Sequence, residues 1–199
     1  HSHFDHFVPE ELDIRAACCV AEVSHGFTVY GTNKVEAALG NRVHDQKFSE
    51  RVGFSLIEPF VSFTAAGYRI TPLAADHDAE SGPVIFLIEK GGKTLLYGND
   101  TGYFPEDTWR YFETERPKLD LAIFDCTFGN RPGMRNNHMN IQTVIEVRDR
   151  LKEAGCIQAD TKNYLHHICH NSWTTHDEFC EIAAPYGFTV TYDGLEVEI

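Results

Sequence analysis

The tightest constraint on this chain is the run His1-Ser2-His3-Phe4-Asp5-His6, in which four of six residues are metal-ligand types. In an extended segment alternate side chains share a side, so His1, His3 and Asp5 are expected to converge on one point. The adjacent pair Asp5-His6 then needs a turn, which sends His6 towards a second point nearby. Neutral imidazole suits zinc and other first-row metals, while a carboxylate adds charge and tolerates harder ions. A purification-tag remnant or a polar terminus is the plain alternative, but tags repeat His and do not interleave Asp. The run reads as a metal site.

At 199 residues and 42% hydrophobic, the chain suits one domain, residues 1–199, with a sizeable core. Its formal charge of −13, from 30 acidic residues against 17 Lys plus Arg, repels phosphate backbones and anionic membranes. Nucleic acid is therefore disfavoured as a partner, and a small molecule is expected instead; oligomeric state is not legible. No apolar run approaches the ~20 residues needed to span a bilayer, and no signal peptide is visible. The six cysteines (Cys18, Cys19, Cys126, Cys156, Cys169, Cys180) show neither C-x-x-C spacing nor the density of a disulfide scaffold. A reduced, cytoplasmic protein is expected.

The chain alternates short strands and helices. Val8-Pro9-Glu10-Glu11-Leu12 starts a helix, with Pro and acids in the first turn. Phe27 to Tyr30 reads as a strand and Asn33 to Leu39 as a short helix; Cys18-Cys19 reads as small apolar filling, and His25 and His44 fit no ligand pattern. Phe54 to Phe63 and Tyr68 to Ala74 alternate like half-buried strands, the second leading into Asp76-His77-Asp78. Val84 to Ile88 and Thr94 to Tyr97, around Lys90-Gly91-Gly92-Lys93, form a hairpin signal, and the second strand delivers Asp100. Pro105 to Glu115 is an amphipathic helix. Leu119 to Phe124 is a buried strand ending in Asp125-Cys126-Thr127; no local signature makes Cys126 a nucleophile. A polar, Gly-containing loop from Gly129 to Asn140, holding His138 with Arg131 and Arg135, precedes a helix from Ile141 to Ala154 capped by Asn140. Asn163 to Ile168 is a short strand entering His166-His167-Ile168-Cys169-His170. Thr174 to Glu178 opens the last helix with a capping signal, and Phe188 to Ile199 reads as a closing hairpin turning at Asp193-Gly194.

The H-x-H-x-D-H run, followed in order by His77, Asp100 and His167 at the ends of strand-like runs, resembles the signature of the metallo-β-lactamase-fold hydrolases. The resemblance covers almost the whole chain. Its nearest branch looks like the phosphodiesterase of the carbon–phosphorus lyase pathway, with relatives of unassigned substrate. It implies an α/β fold, the αββα four-layer sandwich of that type. In the family one or two hairpins and a core strand precede the signature, whereas here the sequence starts with it; the chain is therefore expected to lack its N-terminal strands.

The resemblance also implies roles. His1, His3 and His77 would hold one divalent cation, Asp5, His6 and His167 the other, with Asp100 bridging. Zinc and manganese both suit these donors, and iron is an alternative. His138 matches the family's non-ligand general acid; by composition alone it is an exposed loop histidine. The catalytic candidates are thus His138 and Asp5. Asp125 matches an acid often found near the site, or else a strand-end cap. His170 is a candidate neighbour of the ligands, and His166 alternates to the other face. Asp76 and Asp78 either orient ligating imidazoles or are solvated loop acids. Arg131 and Arg135 suit phosphate oxygens through their guanidinium forks, or are solvated. The implied reaction is attack by a two-metal-activated hydroxide on a phosphodiester, cyclic phosphates included. Lactone or thioester hydrolysis uses the same centre, and a non-hydrolytic metal-binding or redox module is the reading from a different class. A tRNA-processing nuclease is disfavoured, since the interval from His77 to Asp100 leaves no room for an RNA-binding arm.

Overall fold

The structure is a computed structural model that describes residues 1–18 and 26–199, the Cys18 side chain excepted. The readings of Cys18-Cys19 and His25 thus lie outside the described residues. The chain forms two compact units, His1–Glu58 with Asp78–Pro83, and Pro59–His77 with Val84–Ile199.

The first unit contains helix α1 (Pro9–Cys18), strand β1 (Phe27–Gly31), helix α2 (Asn33–Leu39), one-turn helix α3 (Gln46–Ser49) and strand β2 (Val52–Leu56). The strands pair in parallel, Phe27 opposite Val52 through Gly31 opposite Leu56. Leu39, Phe48 and Val52 are the buried centre, with Phe7, Leu12, Val29 and Phe54 packed on them. Gly40 follows α2 at φ 59°, a positive-φ conformation that glycine adopts without steric cost. The Arg42 guanidinium grips Asp13 of α1 through Nε at 2.8 Å and through an Nη at 2.7 Å, and this bond holds the Asp13 carboxyl below its ordinary value.

The second unit is built on a seven-stranded sheet. Its strands are β3 (Phe63–Ala65), β4 (Tyr68–Ala74), β5 (Val84–Lys90), β6 (Lys93–Gly98), β7 (Leu119–Asp125), β8 (Ile157–His166) and β9 (Thr189–Val190) in spatial order. The first four run antiparallel to their neighbours, and β6 to β9 run parallel. Parallel neighbours need crossovers, which are helices here: α4 (Glu106–Glu115), α5 (Ile141–Glu153) and α6 (His176–Ala183). Trp109 and Phe112 of α4, Val144, Val147 and Leu151 of α5, and Phe179 of α6 are buried with the sheet's Leu73, Ile85, Leu96 and Phe124. Each such side chain contributes roughly 1.5–3 kcal/mol of burial.

This topology decides where chemistry can gather. The start of β5 lies beside the end of β4 (Val84 opposite Ala74) and also beside the end of β6 (Phe86 opposite Tyr97). The carboxyl ends of β4, β6, β7 and β8 therefore lie along one side of the sheet, where open α/β sheets bind ligands. The segments leaving those ends carry His77, Asp100, Asp125 and His167.

Three sequence expectations are corrected. The run from Phe54 to Phe63 is not one strand: β2 ends at Leu56 and β3 begins at Phe63. Pro59 lacks a donor, Phe60 turns to φ 68°, and its N–H donates to the Pro72 carbonyl at 2.7 Å. Strand β8 spans Ile157–His166 rather than Asn163 to Ile168. Its first half is mostly exposed and polar, which hides it from a periodicity reading, but Ile157 still pairs with Leu119 of β7. The closing hairpin does not form. Thr191 spends both N–H (2.9 Å) and Oγ1–H (3.0 Å) on Leu165 O, tying this segment to β8, and no strand follows Gly194. Among the described residues no helix is long and apolar enough to cross a membrane.

Candidate metal centre

In the first unit the chain is irregular over residues 1–3 and turns over residues 4–6. The His6 and Phe7 N–H groups donate to His3 O at 3.1 and 2.8 Å. Because the turn begins at Phe4, the strand alternation expected to group Asp5 with His1 and His3 is absent. Instead the rings of His1 and His3 meet edge to face at 4.7 Å, and those of His1 and His6 lie 4.9 Å apart. Asp5 is exposed, 3.6 Å from His6 Nε2. Asp78 Oδ2 sits 3.0 Å from His3 Nε2, while Asp78 Oδ1 accepts from Glu80 N and caps a short turn. Asp78 thus touches an imidazole of the motif, one of the two roles open to it.

In the second unit the segments leaving the strands converge. Asp100 follows β6, Asp125 ends β7, and His167 follows β8, while His138 comes from the loop before α5. One donor atom from each of these four lies within 4.8 Å of the others. Asp125 is fully buried and accepts four hydrogen bonds: from Thr127 N (3.0 Å), Thr127 Oγ1 (3.1 Å), Met139 N (3.1 Å) and His138 Nδ1 (2.9 Å). A carboxylate so satisfied orients its neighbours, which combines both readings of it, the acid near the site and the strand-end cap.

Thr127 fixes the tautomer of His167. Its hydroxyl has one proton, which Asp125 takes, so towards His167 Nδ1 at 2.7 Å it can only accept. The His167 proton is therefore on Nδ1, and Nε2 presents a lone pair. That lone pair lies 3.2 Å from Asp100 Oδ1. Two acceptors facing each other at this distance are stable only with a cation or a proton between them. The other histidines follow the same logic. His138 Nδ1 donates to Asp125 and His77 Nδ1 donates to Asn137 O at 3.0 Å, and these bonds orient each ring. Their rings lie 4.8 Å apart, and the His138 ring stacks at 5.5 Å and 14° on that of His167.

Asp100 is oriented by a relay: His166 Nδ1 donates to Asn99 Oδ1 (2.9 Å), and Asn99 Nδ2 donates to Asp100 Oδ2 (3.3 Å). Burial first, then the neighbouring His167, holds the His166 pKa below its ordinary value. Asp76 accepts from Asn137 N at 3.3 Å, so it steadies the loop that holds His77. Gly102 is required beside it, since a Cβ there would sit 2.4 Å from Asp76 Oδ2 and 2.5 Å from Arg135 O. The backbone is strained here as well. Of seven described non-glycine residues with positive φ, Asp100, Asn137, His167 and Trp173 belong to these site segments. Mixed carboxylate and imidazole donors with fixed tautomers fit a zinc- or manganese-type cation.

The remaining candidates are placed as follows. His170 is exposed and lines a cavity of about 430 Å³ beside His167, with Cys169, His176, Tyr192 and Asp193. Arg135 is ion-paired with Glu146 and lies 3.9 Å over the Tyr103 ring. Arg131 lies between the rings of Phe128 and Trp173. Burial pushes the Cys126 thiol well up, consistent with no nucleophilic role, and pushes Cys156 to about 11. Sequence reasoning missed Thr127, Asn99 and Asn137. A lone Thr or Asn in a loop carries no spacing signal, and Asn137 acts through its backbone, the carbonyl towards His77 and the N–H towards Asp76.

The sequence matches the family described as Beta-lactamase superfamily domain over residues 1–168. No curated protein matches the sequence. Among solved structures the chain is similar to the metallo-beta-lactamase fold protein YhfI from Bacillus subtilis, at 17% identity and TM-score 0.68, covering 98% of this chain and 74% of that one. It is also similar to a diphosphatase of the PhnP family (21% identity, TM-score 0.67, 100% and 69% covered). A third is Zn(2+)-bound PqqB from Methylobacterium extorquens, at 19% identity and TM-score 0.60, with 94% and 65% covered. Likeness at these identities establishes the fold.

Proposed function

Because the chain belongs to the β-lactamase superfamily domain family, whose fold serves metal-dependent hydrolases, we propose that it hydrolyses a phosphodiester, cyclic phosphates included, with two divalent cations. The observation that carries the reading is the approach of His167 Nε2 to Asp100 Oδ1 at 3.2 Å, a pair that needs a cation or a proton between its atoms. As the family resemblance implies, His1, His3 and His77 would hold one cation and Asp5, His6 and His167 the other, with Asp100 shared. When bound, divalent cations supply positive charge that polarises the ester oxygen and favours ionisation of water.

The protein's own groups do the rest. His138, held through Nδ1 by Asp125, donates a proton from Nε2 to the departing alkoxide, a role worth ~10²–10⁴ in rate. Asp125 and Thr127 hold the ring for that transfer. Asp5, beside His6, accepts the proton of the attacking water. Zinc is supported by the zinc-bound PqqB and phosphorus chemistry by the PhnP-family diphosphatase; manganese suits the same donors.

The test is a panel of bis-nitrophenyl phosphate, a lactone and a thioester, with protein loaded with zinc or manganese. Turnover of the diester, lost on chelation and restored by metal, is the expected result. Full metal occupancy with turnover of the lactone or thioester alone would reassign the substrate. Turnover of none would leave a metal-binding or redox module.

A further inference from the structure

Arg131 is unlike the other arginines of its unit. Arg69, Arg110, Arg135, Arg148 and Arg150 each reach a carboxylate, and Arg116 bonds the Glu113 carbonyl. The Arg131 guanidinium instead lies 5.7 Å from the ring centre of Phe128 and 5.3 Å from that of Trp173, with no carboxylate partner among the described residues. In a chain of net charge −13, that leaves a cationic fork for an anion from solution. The position is built: Arg131 N donates to Phe128 O (2.8 Å) and Arg131 O accepts from Asn140 Nδ2 (2.7 Å).

Trp173 is the second observation. Its side chain is 69% exposed, although tryptophan is usually among the most buried residues. It is held at φ 64°, a left-handed conformation rare for bulky residues and recurrent at ligand clamps. Its chain neighbours Ser172 and Thr174 line the cavity beside His167. The Phe128 ring meets the His138 ring edge to face at 5.9 Å, so Arg131 is one ring removed from the proposed acid.

We propose that Arg131 and Trp173 together select an anionic ester that carries a flat aromatic ring. The guanidinium takes an oxygen of the anion, and the indole stacks on the ring in the part of the substrate that is not attacked. The inference rests on the hydrolase site proposed above and names its substrate class. It separates the two arginines equal by sequence, since Arg135 is occupied by Glu146.

The two tryptophans make the test direct. Trp109 is fully buried and Trp173 exposed, so a ring stacking on Trp173 quenches the exposed component of the fluorescence. Metal-loaded protein is titrated with adenosine monophosphate, ribose 5-phosphate and adenosine. The monophosphate should quench with saturation and ribose 5-phosphate should not, while adenosine should bind about tenfold more weakly for want of the anion. Arg131→Gln should bring the monophosphate to the level of adenosine, and Trp173→Phe should abolish the signal. No ring-dependent quenching, or unchanged monophosphate affinity in Arg131→Gln, would overturn the proposal. Saturable, Arg131-dependent quenching by a protein that hydrolyses no ester would retain this site and discard the hydrolase reading alone.

Discussion

Replacing Asp125 with Asn tests the machinery with little change of volume. The buried carboxylate accepts from Thr127 N, Met139 N, Thr127 Oγ1 and His138 Nδ1. An asparagine that keeps its carbonyl oxygen towards the two backbone N–H groups preserves those bonds, and its NH₂ then faces His138 Nδ1. A donor there forces His138 into the other tautomer, with its proton on Nε2 and a lone pair on Nδ1. Nε2 still carries a proton, but the negative charge that stabilises a cationic imidazolium is gone, and a neutral imidazole is a far weaker acid. The loss in turnover should approach the general-acid contribution, about 10²–10⁴. The cost in stability is the loss of one charge-assisted bond, on the order of 1.5–3 kcal/mol. Asp125→Ala leaves two buried N–H donors without acceptors, at about 1–3 kcal/mol each, and should unfold well below Asp125→Asn. The assay compares diesters with methoxide and nitrophenolate leaving groups, alongside thermal unfolding. Asp125→Asn should slow the methyl ester far more than the nitrophenyl ester, which needs little protonation. Equal slowing of both, or full activity, would remove the Asp125–His138 pair from acid catalysis.

Other perturbations have equally definite outcomes. His138→Ala should reproduce the leaving-group dependence of Asp125→Asn, as read by the same two diesters, and loses the same charge-assisted bond to Asp125. Thr175→Ala breaks the capping box with Glu178 at the start of α6 and should destabilise the unit by about 1 kcal/mol in urea unfolding. Lys93 and Thr94 N hold the Asp120 carboxyl below its ordinary value of 3.8, and Thr175 does the same for Glu178 from 4.5. Lowered folded-state values stabilise the fold above the ordinary values, and that contribution is lost as pH falls through the folded ones. The melting temperature should therefore fall below about pH 4.5, less so in Asp120→Asn. Gly102→Ala places a methyl against Asp76 Oδ2 and Arg135 O and should lower metal affinity by displacing the loop that bonds His77, as read by chelator competition.

The strands and helices with strong periodicity or punctuation were legible in sequence. Asn33–Leu39 matches to the residue, and Gly91-Gly92 turns the hairpin with both glycines at positive φ. What was not legible lacked a local cause. The polar first half of β8 is a strand because β7 pairs with it, and the tail after Gly194 is not one because Thr191 is bonded to Leu165. In the site, His77, Asp100 and His167 could be named by their order after the His1–His6 run, and Asp125 and His138 only through the family resemblance; the structure gathers Asp100, Asp125, His138 and His167. The groups that fix their protons could not be named. Thr127 and Asn99 act through hydrogen bonds set by tertiary placement, and Asn137 through backbone groups that other residues also have.

The most direct measurement is the metal content of the purified protein beside that of Asp100→Ala and His167→Ala, each checked for folding by circular dichroism. The account predicts bound zinc or manganese in the parent and a marked loss in both folded variants, because the facing acceptors are gone. Undiminished metal in both would contradict it and move the cation elsewhere.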